Sequence, residues 1–427
     1  MQRISASYHV NNINQLKAQM LNWANRFGIC CYMDSHDYSV KYHRYDCLVA
    51  VDVYKSISAQ SGILLQLEYF YTSYNDWIFG HLGYDLKNEI EDLRSTHTNK
   101  AGFPDAFFFV PMIVLILQKD KLIIQSLEIY PQLKFDAIQA ETYSENILVK
   151  KKNIQLQAAV SKEEYILTIE KIQEHILRGD CYELNYCQEF FAEDILIDAL
   201  ATYKQLLAIS PTPFSCFYKL NNKFLLCASP ERFLSKAGNI ISSQPIKGTA
   251  PRNTDVALDE IEKIHLQQNK KEQSENVMIV DLVRNDLSKI CVEGSVVAEE
   301  LFGIYSFPQV HQMISTIKGE LRNDVSFTDI IWATFPMGSM TGAPKLRAMQ
   351  LIEQYEKTKR QLFSGSVGYI SPQKDFDFNV VIRSIFYNAA DKFLNYLVGS
   401  AITFYADAER EYAECNLKAK AILDTLQ

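Results

Sequence analysis

The sequence predicts an α+β protein whose β-sheets are mainly antiparallel. Segments rich in apolar and β-branched residues, which favour strands, follow one another in groups along the chain. Amphipathic segments with helical spacing stand between these groups, but strands and helices do not alternate one by one. Parallel sheets need a long crossover, usually a helix, between consecutive strands. The chain lacks that rhythm, so antiparallel pairing is predicted for most strands.

Five strands are predicted in the first 130 residues. One of them, Trp77–Tyr84, holds two glycines that permit close packing of a buried strand. The other four cover residues 46–54, 62–70, 107–117 and 121–130. Residues 150–160 begin with three lysines and form the only predicted linker.

A capping box marks the start of a helix after this linker. Ser161 and Glu164 have the spacing at which the two side chains satisfy free N–H groups of a first helical turn. Isoleucines at positions 166, 169, 172 and 176 then follow helical spacing until Gly179, a common terminator. Further strands are predicted at 214–219, 223–228, 363–370, 377–388 and 393–405, and further helices at about 257–287 and 408–426.

The composition excludes several classes of protein. Hydrophobic residues make up 48% of the 427 residues, enough for a large core, so a disordered chain is excluded. The net charge of −8 argues against nucleic-acid binding, which needs a basic face. Nine scattered cysteines suit a reducing compartment, and no signal peptide or membrane-length apolar run is evident. A soluble cytoplasmic protein that binds neither nucleic acid nor membranes is predicted.

Lys247 lies in an unusual local setting, the segment Gln244–Arg252 (QPIKGTAPR). Pro245 biases the preceding backbone toward extended geometry, Gly248 lets the backbone approach a bound group, and Thr249 offers a hydroxyl. A partly desolvated lysine here could lose its proton near neutral pH and attack carbon. The alternative is a turn that carries a solvated lysine.

Two predicted helices each carry a pair of glutamates three residues apart. The pairs are Glu272 with Glu275 and Glu411 with Glu414. A spacing of three places both carboxylates on one face of a helix, and four facing carboxylates would repel one another without a cation between them. Hard oxygen ligands without a nearby histidine favour Mg²⁺. The alternative is two separate, solvated helix faces.

Three further positions suggest anion binding or acid–base chemistry. The segment Gly338–Lys345 precedes an amphipathic helix, and free N–H groups at such a terminus bind anions. Thr341 is the predicted N-cap of that helix, with Pro344 in its first turn. Arg383 on an apolar strand needs an acidic partner from the protein or from a ligand. Glu231 fits a general acid or base, or a surface ion pair with the arginine beside it.

Taken together, these motifs resemble those of the chorismate-utilising enzymes, which include anthranilate, aminodeoxychorismate, isochorismate and salicylate synthases. The match is collinear from about Ser161 to Ala421 and depends on SPERF, PIKGT, ENVMIVDLVRNDL, FPMGSMTGAPKLRAM, GSVGY, VVIRS and ExxEC. The resemblance implies one large domain over residues 1–427, with two packed, mainly antiparallel β-sheets flanked by helices. Residues 1–155 would form the N-terminal portion of this sandwich, and residues 156–427 would carry the active-site motifs.

The resemblance also implies roles for individual residues by motif position. Glu275 and Glu414 would hold Mg²⁺ directly, and the metal would bind the ring carboxylate of chorismate. Glu272 and Glu411 would act on the metal through water. The residues that would hold the enolpyruvyl carboxylate are Tyr369, Arg383 and the backbone after Gly399. Gly248, Thr249, Ser339 and Lys418 would also line the site.

Lys247 distinguishes members within this family. Anthranilate and isochorismate synthases typically carry alanine there, whereas PIKGT is typical of aminodeoxychorismate synthases. The resemblance therefore implies a transferase that replaces the C4 hydroxyl of chorismate by ammonia through a covalent intermediate on Lys247, on the route to 4-aminobenzoate and folate. The lysine would add at C2 while Glu231 protonates the departing hydroxyl, and ammonia would then add at C4 and expel the lysine.

Two alternatives stay open. The chain could be an anthranilate or isochorismate synthase, or a regulatory subunit that binds chorismate without converting it. No G-x-C-x-G nucleophile elbow is evident, so the resemblance implies a separate glutamine amidotransferase as the source of ammonia. The family's catalytic histidine aligns with Gln312, one place from His311, and a lone histidine in an apolar segment is more often a core residue.

Overall fold

The computed structural model describes residues 2–36, 38, 45–59, 62–128, 130–143, 154–308 and 310–426. Over these residues strands and helices follow one another in the irregular order that the sequence predicts, and the α+β prediction is confirmed. Residues 150–153 of the predicted linker lie outside the described residues. None of the described helices combines the length and the apolar character that crossing a bilayer requires.

The elements are numbered in chain order. The strands are β1 (Ile4–His9), β2 (Ile29–Asp34), β3 (Cys47–Ala59), β4 (Ile78–Leu82), β5 (Ala106–Gln118), β6 (Lys121–Ser126), β7 (Gln157–Ala158), β8 (Glu183–Ala192), β9 (Phe214–Leu220), β10 (Lys223–Ser229), β11 (Arg232–Ala237), β12 (Ile240–Gln244), β13 (Ile246–Pro251), β14 (Val297–Ser306), β15 (Val310–Glu320), β16 (Gly342–Ala343), β17 (Ser366–Ile370), β18 (Phe376–Asn379), β19 (Ser384–Asn388) and β20 (Phe393–Thr403). The helices are α1 (Ile13–Ala24), α2 (Ile63–Ser73), α3 (Lys87–Ile90), α4 (Pro131–Gln139), α5 (Lys162–Leu177), α6 (Ala199–Ile209), α7 (Val256–Gln268), α8 (Lys270–Ser288), α9 (Phe327–Thr334), α10 (Lys345–Tyr355) and α11 (Ala408–Leu426).

Two antiparallel ladders of strands diverge from β5. The first ladder runs in the order β1–β6–β5–β3–β2–β9–β10–β19–β20–β8, and β7 and β16 pair with β8. The second ladder leaves β5 through β4 and continues as β17–β18–β11–β12–β15, where β15 also pairs with β13 and β14.

Two large apolar cores lie on the faces of these ladders. One core combines side chains of both ladders, such as Tyr218 on β9 with Leu234 on β11 and Phe378 on β18. The other joins the first ladder to helices, for example Phe217 on β9 with Ile169 on α5. Adjacent residues of β9 enter different cores because successive side chains of a strand point to opposite faces. The arrangement is therefore two packed sheets flanked by helices, as the resemblance implies, with α7 and α8 against the second ladder.

Residues 62–70, which the sequence predicts as a strand, form most of helix α2. The chain enters the helix through Gly62 at a φ of +65°, and the Glu89 carboxylate accepts the N–H group of Ile63 at 3.0 Å. The first N–H groups of a helix have no partner within it, and a carboxylate there stabilises the start. A short apolar run can form either a strand or a buried helix. Here the contact with Glu89 favours the helix.

The predicted helix over 257–287 is two helices that meet at Asn269. This residue has extended backbone geometry, and its side chain accepts the N–H groups of Lys271 and Glu272. The cap starts α8 and places Glu272 in its first turn. By contrast, the Ser161 cap is confirmed, since Ser161 Oγ accepts the Glu164 N–H group at 3.1 Å, but among the described residues the Glu164 side chain makes no return bond to Ser161. The final helix also agrees with prediction.

Candidate active site

Lys247 lies on β13 where strands and acidic helices meet. Its side chain is 13% exposed, and its Nζ donates to Oε1 of Glu183 on β8 at 2.7 Å. Oε2 of Glu275 on α8 lies 3.6 Å from the same nitrogen, and the charge of Glu414 on α11 also acts on it. Asn276 Nδ2 donates to the Lys247 carbonyl at 3.3 Å. These contacts keep the lysine amine away from bulk solvent.

The prediction that Lys247 loses its proton near neutral pH is wrong for this arrangement. Burial lowers the pKa of Lys247, but the carboxylates of Glu183 and Glu275 outweigh it and bring the pKa above its ordinary value. Nearby opposite charges stabilise the ammonium form over the amine form. The segment around Lys247 does not reveal this, because both carboxylates come from other parts of the chain.

Glu183 is a member of this cluster that the sequence analysis does not identify. Its side chain is 2% exposed, and among the described residues its Oε2 has no hydrogen-bond partner. Burial raises the pKa of Glu183, and the charge of Lys247 opposes the rise. The available signal was a single acid beside apolar residues such as Leu184 and Tyr186, since a buried acid needs a partner.

Glu231 lies between β10 and β11 and is 4% exposed. The Ser339 hydroxyl donates to its Oε1 at 2.6 Å. Burial raises the pKa of Glu231 to about 7, although Ser339, Arg383 and Lys247 each act to lower it. A carboxyl group with a pKa near neutrality can both give and take a proton, as a general acid or base must.

The alternative interpretation of Glu231, an ion pair with its neighbour, is wrong. Arg232 points to other partners, because its guanidinium pairs with Asp377 at 2.8 Å and donates to Gln244 at 2.6 Å. Glu231 itself is buried rather than at the surface. Ser339 therefore remains its hydrogen-bonded side-chain partner within the described residues.

Arg383 is not on a strand, contrary to prediction. β18 ends at Asn379 and β19 begins at Ser384, and Arg383 has a φ of +50° between them. Its half-buried guanidinium forms no hydrogen bond or ion pair within the described ranges, while burial lowers the pKa of Arg383 to about 10 and Glu231 opposes this. A partly desolvated guanidinium without a partner is suited to a carboxylate ligand.

The four glutamates of α8 and α11 act on a common region. Burial and the charge of Glu275 raise the pKa of Glu272, and Glu414 adds to the rise. Burial and the charge of Glu414 raise the pKa of Glu411 to about 7. The two pairs, which are far apart in sequence, therefore lie close enough to repel one another.

Lysines balance part of this negative charge. Lys418 Nζ lies 2.7 Å from Oε1 of Glu414 and donates to the Gly399 carbonyl at 3.1 Å. The charge of Lys418 is the main reason that the pKa of Glu414 is lowered. Lys271 Nζ lies 3.7 Å from Oε1 of Glu275. The region thus contains both carboxylates and ammonium groups.

Gly248 allows β13 to pass close to α8. Its φ of +103° favours glycine, and a Cβ atom there would approach Oε2 of Glu272 and Cβ of Met313 at 3.2 Å. Thr249 is exposed, and its backbone pairs with Gln312 across β13 and β15. A larger residue at 248 would push the strand away from the acidic helix.

The donor chemistry fits magnesium, although the protein groups do not form a closed cage. Over the described ranges, no three Asp, Glu, His or Cys side chains are arranged to hold a metal ion. Mg²⁺ is usually bound through one or two carboxylates, with water and substrate oxygens as its other ligands. Burial and crowded negative charge together raise the pKa values of Glu272 and Glu411, and a divalent cation would relieve the crowding.

Tyr369 lies on β17 within a group of aromatic rings. Its ring packs against Tyr45, Trp77 and Phe79, with centroid distances of 5.8, 5.9 and 6.1 Å. It also lines a separate cavity together with Met33. The implied contact between Tyr369 and the enolpyruvyl carboxylate stays a prediction.

The Gly338–Lys345 segment also differs from prediction. Thr341 is not an N-cap, because its hydroxyl donates to the Met337 carbonyl at 3.2 Å, and Pro344 takes the N-cap position of α10. Lys345 pairs with Asp286 of α8 at 2.5 Å, so its ammonium is already engaged. Of this segment, Ser339 contacts the cluster through Glu231.

His311 is a satisfied core residue, as its apolar surroundings predict. It is fully buried, with Nε2 2.9 Å from Oδ1 of Asp259 and Nδ1 2.9 Å from the Ser306 hydroxyl. Both ring nitrogens therefore have partners away from Lys247.

Comparison with known proteins gives close relatives in sequence. A probable chloroplastic aminodeoxychorismate synthase of Oryza sativa is 33% identical over 383 residues, which are 80% of this chain and 42% of that protein. Aminodeoxychorismate synthase component 1 of Salmonella typhimurium is 33% identical over 82% of this chain and 76% of its own length. The chain thus spans less than half of the rice protein and about three quarters of the bacterial one.

A solved structure shares the fold of this chain, and a family model matches most of its length. Anthranilate synthase component I of Streptococcus pneumoniae has the same fold, with a TM-score of 0.79 at 23% identity over 90% of this chain and 93% of that one. Residues 31–424 match the family described as chorismate binding enzyme. The chain belongs to the family of chorismate binding enzymes.

Proposed function

We propose that the chain is component I of an aminodeoxychorismate synthase, a transferase that replaces the C4 hydroxyl of chorismate with an amino group. Lys247 carries this proposal, because its amine lies inside a cluster of acidic groups rather than in solvent. The names of the rice and Salmonella relatives support the same activity. The product would feed the formation of 4-aminobenzoate and folate.

Chorismate has two carboxylates, and the site offers a different setting for each. The guanidinium of Arg383, unpaired within the described ranges, suits the enolpyruvyl carboxylate, with the backbone after Gly399 as a second contact. The ring carboxylate would lie toward the glutamates of α8 and α11. Direct contact there would be repulsive, so this placement needs a cation between substrate and protein.

Glu275 and Glu414 would hold Mg²⁺ directly, while Glu272 and Glu411 would hold its water molecules. When bound, the ion supplies positive charge that neutralises the ring carboxylate and fixes its orientation. Glu275 would then be engaged away from Lys247, which leaves Glu183 as the carboxylate beside the amine.

The inferred chemistry consists of two displacements at the ring. Lys247 acts in its amine form, so its ammonium proton passes to solvent before the amine bonds to C2, and the lysine takes a proton back from solvent after it has left C2. As that bond forms, the ring double bonds shift toward C4, and Glu231 gives its proton to the hydroxyl, which departs as water. Ammonia then bonds to C4, the double bonds shift back, and the lysine leaves C2 as an amine. The new C4 ammonium returns a proton to Glu231, so the net change is ammonia in and water out.

We infer that a separate glutamine amidotransferase supplies the ammonia. A reaction at a buried amine is sensitive to competing water, and a partner that delivers ammonia directly would limit that competition. Free ammonium salts at alkaline pH serve as the substitute in the experiments below.

The test is product analysis of wild type beside Lys247→Ala, with chorismate, Mg²⁺ and ammonium. We expect aminodeoxychorismate from wild type and none from Lys247→Ala, which keeps at most slow chemistry at C2. Lys263→Ala is the matched control, because Lys263 is a partly exposed lysine of α7 that pairs with Glu260.

Other outcomes would identify the rival activities. Anthranilate as the main wild-type product would make the chain an anthranilate synthase. No loss of chorismate with any nitrogen source would favour the regulatory subunit. Full retention of C4 amination by Lys247→Ala would remove the covalent step from the mechanism.

A further inference from the structure

We propose that Glu183 is the positioning residue that holds the Lys247 amine at the substrate ring, and that this contact commits the reaction to C4. The inference rests on the proposed function and adds to it the residue that controls where the new bond forms.

The Glu183 contact is the direct one at Lys247. Nζ donates to Oε1 of Glu183 at 2.7 Å, whereas Glu275 lies at 3.6 Å, beyond ordinary hydrogen-bond length. No other hydrogen-bond acceptor of Nζ occurs in the part of the chain that the structure describes. A lysine side chain has four flexible carbons, so one firm contact determines where its amine spends its time.

The backbone of Glu183 is fixed on both sides. It is the first residue of β8 and pairs with Thr403 of β20 and with Ala343 of β16. At the neighbouring Gly342 a Cβ atom would lie 2.2 Å from the Glu183 carbonyl oxygen, so glycine is needed for this close approach. The Arg360 guanidinium donates to the carbonyl of Asn185, two residues along the strand, at 2.7 Å. The carboxylate therefore starts from a rigid base.

Glu183 does not have the contacts of a structural carboxylate. Its Oε2 is buried without a partner among the described residues. Glu356, another buried carboxylate, is better satisfied, because it accepts from both Arg360 and the Cys187 N–H group. A buried acceptor left without a donor is unfavourable for folding. A role in stability thus explains Glu183 poorly, and a role at Lys247 explains it better.

The contact can decide between two products. With the amine held at C2, ammonia finds that carbon occupied and reacts at C4. With the amine displaced, ammonia itself forms the bond to C2 while the C4–O bond breaks and Glu231 protonates the departing hydroxyl, which yields an amine at C2. Misplacement of a reacting group by about 1 Å costs on the order of 100-fold in rate. A small movement of Nζ is therefore enough to change the product.

The experiment compares Glu183→Gln with Glu183→Met, using ammonium as the nitrogen source. Gln keeps an oxygen that accepts from Nζ, whereas Met has similar length and no such acceptor. We expect Glu183→Met to lower kcat for C4 amination by about 100-fold, the loss typical of a misplaced reacting group, with amine at C2 becoming the main product. The KM for chorismate should stay within about threefold, because Glu183 contacts the lysine and not the substrate carboxylates. Glu183→Gln should keep C4 amination as the main product.

A second variant guards against a folding defect in Glu183→Met. Glu183→Ala leaves space for a small carboxylate, so added formate should restore C4 amination in it but not in Lys247→Ala. Thermal melting of each variant reports whether the fold is kept. Wild-type kcat and products in Glu183→Met, or equal losses in the Gln and Met variants, would overturn the inference alone. A wild type that makes only anthranilate would overturn the proposed function and this inference with it.

Discussion

Glu231 owes its acid–base properties to burial. Burial raises the pKa of Glu231 to about 7 against the opposing effects of Ser339, Arg383 and Lys247. Charged forms are disfavoured in a medium of low polarity, so the protonated carboxyl persists to near-neutral pH. A surface glutamate would be fully ionised at that pH and could not supply a proton to a leaving hydroxyl.

The pH dependence of the reaction should report this carboxyl. Because Lys247 acts as its amine form and Glu231 as its acid form, kcat/KM should rise with pH until Glu231 loses its proton and then form a flat limb above about pH 7, with the start of that limb set by the pKa of Glu231. Glu231→Gln should lose about 10²–10⁴-fold in rate and lack this limb. Steady-state rates across a pH series measure both the loss of rate and the limb of the pH profile.

Ser339→Ala provides the internal check on this assignment. The Ser339 hydroxyl donates to the carboxylate and stabilises its ionised form. Its removal should shift the limb to higher pH. A limb that does not move in Ser339→Ala, or that survives in Glu231→Gln, would assign it to another group.

Lys247, Glu231 and the four glutamates could be predicted from their motifs, but their surroundings could not. The charge state of Lys247 depends on Glu183, which is 64 residues away and carries no motif of its own. The backbone of Arg383 turns at a position where the sequence looks like a continuous apolar strand. Local patterns identify reactive residue types, whereas contacts between distant segments set their protonation and direction.

The buried ion pair of Arg360 and Glu356, which follows α10, connects this helix to β8. Arg360 is 2% exposed, and its guanidinium lies 2.5 Å from Oε1 of Glu356 and donates to the Met340 carbonyl at 2.6 Å. The same guanidinium reaches the Asn185 carbonyl of β8. One side chain thus links α10, the segment that carries Ser339, and the strand that carries Glu183.

Loss of this link should be strongly destabilising. Arg360→Met leaves the Glu356 carboxylate buried and unpaired, so we expect the free energy of unfolding to fall by about 3–5 kcal/mol. Urea unfolding followed by circular dichroism measures the change. Arg347→Met is the control, since its partly exposed pair with Asp180 at 3.3 Å should contribute less than about 1 kcal/mol. A loss for Arg360→Met as small as for the control would show that the pair has little structural effect.

Helix ends differ in how far they could be predicted. The Ser161 cap and the final helix follow local rules, and both are confirmed. The start of α2 instead depends on Glu89, and the break between α7 and α8 depends on the Asn269 side chain inside an otherwise helical pattern. An isolated asparagine in a polar stretch is a weak signal, because the same residue also occurs within helices.

The cluster exists because two helices from different parts of the chain reach the same place. α8 contributes Glu272 and Glu275, and α11, more than a hundred residues later, contributes Glu411 and Glu414. Either pair alone would bind a divalent cation weakly, because two exposed carboxylates stay hydrated by water. Their meeting follows from the packing of the first ladder, whose strand β20 contacts α11, on the second, whose strands β13 and β15 contact α8.

Glu275→Gln and Glu414→Gln should therefore each weaken magnesium binding and lower the activity together. We expect the Mg²⁺ concentration for half-maximal activity to rise about 10–100-fold, as for altered metal-site groups in general. Titration calorimetry with Mg²⁺ and chorismate gives a measure of binding that does not depend on turnover.

Glu409→Gln is the matched control for these variants. Glu409 also lies on α11 but pairs with Lys162 at 2.6 Å on an exposed face. Its magnesium titration should equal that of wild type. Unchanged titrations for both Glu275→Gln and Glu414→Gln would count against the metal assignment.

The order in which the contacts of the site form during folding depends on how far apart the paired residues are in the chain. The Lys247–Glu183 contact joins residues 64 apart, and the Glu231–Ser339 contact joins residues 108 apart. Contacts of long sequence separation form late, because the intervening chain must first be ordered. A nascent or partly refolded molecule with most of its helices in place would thus still be inert toward chorismate. In the cell, only fully folded molecules would act on chorismate.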